Sequence, residues 1–143
     1  MTNLTDEYIE YIATSLVDCS LPKPEWTHKA HFAAALWLLN DPNTDPFISM
    51  PEIIRRYNEA CGVSNTDNDG YHETITLASL RAARHSLQTA NPSQRLSATL
   101  IDLLASGFGR SDWLLEYWSR ECLFSVSARR NWIEPDLKTL PFP

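Results

Sequence analysis

At 143 residues the chain has the length of one domain, and its 43% hydrophobic content is enough to build a core. The formal net charge of -6 argues against non-specific binding to nucleic acid, which needs clustered Lys and Arg; a small anion held by a few local arginines stays open. Cys19, Cys61 and Cys122 are odd in number and widely spaced, which argues against a disulfide framework, rules out a four-thiolate zinc site and fits a reducing, cytoplasmic compartment.

In chain order, the first predicted helix runs from about Asp6 to Asp18, capped by Thr5, with Tyr8, Ile9, Ile12, Leu16 and Cys19 at helical spacing. Before it, Met1 to Glu7 is polar and acidic, unlike a secretory signal. Leu21-Pro22-Lys23-Pro24 is a turn. A second helix starts near Glu25 or Thr27 and reaches Leu39. It is apolar almost all round, the mark of a central helix. Its stretch from Ala30 to Leu39 is too short to span a bilayer, which takes ~20 residues.

After the loop from Asn40 to Pro46, Ser49-Met50-Pro51-Glu52 opens a third helix that ends at Cys61 and Gly62. The polar segment Val63 to Gly70 delivers Tyr71-His72-Glu73-Thr74 to a fourth helix reaching about Thr89. A fifth helix spans about Ser93 to Ala105, a sixth Trp113 to about Cys122, and a short one Ser125 to Trp132. Residues 133–143 hold three prolines and read as an extended tail over the surface. The expectation is an all-α domain spanning 1–143. Its six or seven helices form a compact bundle or orthogonal array around the helix at about 27–39.

The chemistry concentrates in the histidines. Glu25, His28 and His31 are spaced i, i+3, i+6, so the two imidazoles are neighbours on one helical face. Neutral imidazole ligates zinc, nickel and iron. His72, at a loop-to-helix junction, is the candidate third ligand, and three protein ligands would leave an open coordination position for water. Glu73 or Glu25 would be the base, and Tyr71 would orient a substrate. His85 lies too far along the same helix as His72 to share an ion with it. Two other readings stay open: a metal-free polar pocket for a small ligand or protein partner, and purely structural histidines. There is no H-E-x-x-H.

Asn65, Asp67, Asp69 and Gly70 mimic the first positions of a calcium loop, but Thr76 stands where a bidentate Glu belongs, so a capping turn is the better reading. Arg120 beside Tyr117-Trp118, and Arg129-Arg130 before Trp132, are candidates for holding a carboxylate or phosphate, or simply for stacking on aromatic rings. Exposed tryptophans would mark a homodimer face.

Four blocks, Trp26-Thr27-His28-Lys29-Ala30-His31, Gly70-Tyr71-His72-Glu73-Thr74, Tyr117-Trp118-Ser119-Arg120-Glu121 and Trp132-Ile133-Glu134-Pro135-Asp136-Leu137, together resemble a family of uncharacterised bacterial proteins over most of the chain. The resemblance implies a small helical protein of bacterial type and no particular activity. A looser likeness in architecture is to DinB-like bundles, which hold a divalent metal through three histidines. Their ligand spacing is not reproduced here, so no roles carry over.

Overall fold

The computed structural model describes residues 3–143; Met1 and Thr2, the start of the polar N-terminus, lie outside the described residues. Every regular element within them is helical: α1 (Asp6–Val17), α2 (His28–Leu39), α3 (Pro46–Ala60), α4 (Glu73–Thr89), α5 (Leu96–Ala105), α6 (Arg120–Leu123) and α7 (Val126–Arg130). Short 3₁₀ turns lie at Lys23–Glu25, Gly107–Gly109 and Trp113–Glu116. The fold is all-α, as the patterning predicts.

Four long helices start where a side chain satisfies a backbone N–H that the helix leaves open. Thr5 Oγ1 accepts from Tyr8 N at 3.0 Å, Thr27 Oγ1 from Ala30 N at 3.3 Å and Asp45 Oδ1 from Phe47 N at 3.1 Å. His72 Nδ1 accepts from Ile75 N at 3.1 Å. Such caps contribute roughly 1 kcal/mol each. The central position of α2 follows from its composition: Ala30, Phe32, Ala33, Ala34, Ala35 and Leu36 are buried, and it packs against α1, α3, α4 and α5. Its small alanines let four neighbours approach together, which a uniformly bulky face would prevent.

Three boundaries differ from expectation. α3 begins at Pro46 rather than near Ser49, because Asp45 caps it and Pro46 fills the first turn; Pro51 is then inside the helix. α5 begins at Leu96, with Arg95 at the cap position. The predicted helix from Trp113 to Cys122 is broken in two. At the break the tail carboxylate of Asp136 accepts from Ser119 N at 2.7 Å and from Ser119 Oγ at 2.6 Å. Ser119 Oγ in turn accepts from Cys122 N at 3.1 Å and so caps α6.

The C-terminal segment is tied down more firmly than a surface tail. Trp118 Nε1 donates to Ile133 O at 2.9 Å, Ile133 N to Thr74 Oγ1 at 3.2 Å, and Leu137 N to Tyr117 O at 2.9 Å. Phe142 is buried, its ring 5.6 Å from that of His85 and 5.7 Å from that of Phe108. All five tryptophans are buried or half-buried. No helix among the described residues is long and apolar enough to cross a membrane.

Candidate functional site

The segment between α3 and α4 is built around one amide. Asn65 Nδ2 donates to Arg55 O at 3.0 Å, and Asn65 Oδ1 accepts from Asn58 Nδ2 at 3.0 Å and from Tyr71 N at 2.9 Å. Thr66 Oγ1 accepts from Asn68 N and Asp69 N, closing a tight turn. Gly70 then takes φ +81, and a Cβ there would lie 2.6 Å from Ser64 O, so only glycine fits. This path delivers Tyr71, His72 and Glu73 to the start of α4. It also uses the groups that a calcium ion would need: the Asn65 oxygen is spent on the loop, and Asp67 pairs with Arg130.

Beside Tyr71 lies a cleft of about 240 Å³ into which three arginines from two distant parts of the chain converge. The Arg55 guanidinium lies 4.3 Å from the centroid of the Tyr71 ring. Arg129 Nη1 donates to Gly70 O at 3.1 Å and to Tyr71 O at 3.3 Å. Arg130 Nε and Nη2 grip the two carboxylate oxygens of Asp67 at 2.7 and 2.8 Å. Among the described residues neither Arg55 nor Arg129 has an acidic partner. In an acidic protein this is a local excess of positive charge.

Tyr71 is buried and its hydroxyl donates to Glu73 Oε1 at 2.5 Å. Burial, and then this bond, hold the phenol far above its ordinary range, with Arg55 opposing weakly. Tyr71 therefore stays a neutral donor, and it fixes the carboxylate of Glu73. The two predicted residues are together, but as a locked pair rather than as a substrate-orienting group and a free base.

The histidines are placed differently from the predicted metal site. His72 Nδ1 accepts the cap bond from Ile75 N, and Nε2 lies 2.7 Å from Leu123 O, so the ring is neutral with its proton on Nε2. Burial holds its pKa below the ordinary histidine value. Both ring nitrogens are spent, Nδ1 in capping α4 and Nε2 in joining it to α6. On α2, His28 Nε2 donates to Phe108 O at 2.8 Å, and His31 packs on Trp26 with ring centroids 4.5 Å apart. Burial, and then the neighbouring His28, lower the His31 pKa to about 4. Glu25 accepts from Tyr11 OH at 3.0 Å instead of approaching either ring. His85 stacks on Phe142. Arg120 is exposed on the first turn of α6 and does not line the cleft. Among the described residues, no three His, Cys, Asp or Glu side chains gather into a group able to hold a metal ion.

Arg55 is the residue that the sequence leaves unmarked. It follows two isoleucines on an ordinary amphipathic helix, and only the returning Tyr71 loop gives it a role. Comparison with protein families, with curated protein sequences and with solved structures finds no match to this chain.

Proposed function

We propose that this protein is a metal-free module that binds a small anion, a carboxylate or a phosphate, in the cleft between Arg55, Arg129 and Arg130. One observation carries the reading: the Arg55 guanidinium sits over the Tyr71 ring, 4.3 Å from its centroid, and lines the cleft with no acidic partner among the described residues. Guanidinium held on an aromatic face loses little freedom when it meets a ligand, and its fork matches carboxylate and phosphate oxygens. Arg129 is oriented by two backbone carbonyls, which leaves its other N–H groups for a ligand. The commitments of His72 and His28 to carbonyl oxygens favour this reading over a divalent zinc, nickel or iron site. Reduced cysteines and an acidic surface suit a cytoplasmic protein.

Titration calorimetry with inorganic phosphate and with citrate tests the reading. Arg55→Gln should weaken binding about tenfold or more, as loss of a charge-assisted contact does. Arg120→Gln should leave binding unchanged, and so should prior treatment with a chelator. Equal binding by wild type and Arg55→Gln would defeat the proposal. Metal bound stoichiometrically to untagged protein, and lost with His31→Ala, would restore the metal reading.

A further inference from the structure

The cleft already contains one anion. Arg130 holds Asp67 fork on fork, at 2.7 and 2.8 Å, which is the geometry a bound carboxylate or phosphate takes. Nothing else needs that carboxylate. The turn around it is closed by Thr66 Oγ1 and anchored by Asn65, and the side chain of Asp67 makes no other polar contact among the described residues. The pair is well exposed, with side-chain exposures of 63% for Arg130 and 44% for Asp67, so water screens it and it contributes little to folding. An ion pair of this kind exchanges easily.

The charge count of the lining points to the ligand. Three guanidinium groups face one carboxylate. A monoanion satisfies one fork. A phosphoryl group carries close to two charges and three terminal oxygens at neutral pH, one oxygen for each arginine. A cleft of about 240 Å³ admits a group of that size, free or on a small ester, and not a large ligand. We infer that the cleft takes a phosphoryl dianion and that Asp67 is its internal competitor, giving up Arg130 as the dianion arrives. This inference rests on the anion-binding reading of the cleft.

The experiment compares wild type, Asp67→Asn and Asp67→Ser, each checked for a native circular dichroism spectrum, by calorimetry with inorganic phosphate, glycerol phosphate and acetate. Removing the competing charge should tighten phosphate binding about tenfold in both variants, because like-charge juxtaposition is relieved. Adding Arg130→Gln to Asp67→Asn should erase the gain. Acetate should bind at least about tenfold more weakly than phosphate. Glycerol phosphate should weaken below pH ~6, where it becomes a monoanion. Tighter binding of glycerol phosphate than of inorganic phosphate assigns the site to an ester, and the reverse order assigns it to the free ion. Unchanged or weaker phosphate binding in both Asp67 variants, with binding still lost in Arg55→Gln, overturns the competitor and leaves the anion site standing. Acetate binding as tight as phosphate overturns the dianion. Absence of phosphate, glycerol phosphate and acetate binding in wild type and variants alike overturns both this inference and the reading beneath it.

Discussion

The Nε2 of His72 lies 2.7 Å from the carbonyl oxygen of Leu123, joining the first residue before α4 to the last residue of α6. The same ring caps α4 through Nδ1. One side chain thus serves as a helix cap and a tertiary tie, and the cap requires a neutral imidazole, because Nδ1 must accept.

His72→Ala removes both bonds. The lost cap costs roughly 1 kcal/mol, and leaving the Leu123 carbonyl without its donor costs roughly 1–3 kcal/mol more. The expected total is about 2–4 kcal/mol, read from urea unfolding. His72→Asn keeps an acceptor at the cap and should recover about 1 kcal/mol of this. If the alanine variant unfolded at the wild-type urea concentration, the ring would be idle.

Stability should fall in mild acid because of His31. Its pKa is lowered from 6.5 to about 4, so between those values the unfolded chain binds a proton that the native ring refuses. Stability is therefore complete above the unfolded value and is lost as pH falls from 6.5 towards 4. The loss from this one group is at most about 3 kcal/mol. His72, whose pKa is also lowered, acts in the same direction. Urea unfolding at pH 7 and pH 4.5 should show a clearly smaller pH effect in His31→Gln than in wild type; parallel pH profiles would refute the assignment.

What could be read from sequence divides along physical lines. The central place of α2 was legible because an all-round apolar run leaves no face for water. The start of α3 was not, because Asp45-Pro46 and Ser49-Met50-Pro51 are both acceptable start signals and only packing ranks them. Tyr71, His72 and Glu73 sit at the loop-to-helix junction that their composition suggests, and Tyr71 lines the cleft. Their partners could not be read, since the Leu123 carbonyl and the Arg55 guanidinium arrive from distant elements. Arg55 and Arg56 are equivalent on paper, yet Arg56 Nη2 reaches Val17 O at 3.3 Å while Arg55 covers Tyr71.

Gly70→Ala should damage the fold and the cleft together. The position has φ +81, where a side chain is strained, and the added Cβ would meet Asn65 Oδ1 and Ser64 O, both at 2.6 Å. Strain and clash together should cost about 2 kcal/mol or more. Because Asn65 Oδ1 also holds Tyr71 N, phosphate affinity should fall with stability. Gly62 provides the control: it also has positive φ, at +80, but a Cβ there meets nothing within 4 Å. Gly62→Ala should thus cost less and leave phosphate binding intact. Equal effects of the two substitutions in both assays would count against the loop geometry.

Phe142 gives the sharpest test of the tail. It sits one residue from the chain end, where segments usually contribute little, yet its side chain is only 7% exposed. It fills the space between the rings of His85 and Phe108, at 5.6 and 5.7 Å. Phe108 in turn supplies the carbonyl that His28 Nε2 bonds at 2.8 Å. Loss of the Phe142 ring therefore reaches α2 through two contacts. A well-buried Phe→Ala change costs about 3–5 kcal/mol, and a terminal segment can relax or detach, so about 2–3 kcal/mol is expected here. Phe142→Leu should lose less than half as much, because most of the apolar volume remains. Urea unfolding of the two variants measures both values. A loss below ~0.5 kcal/mol for Phe142→Ala, the range of an ordinary surface change, would mean that the tail is an ornament on a core that is complete without it.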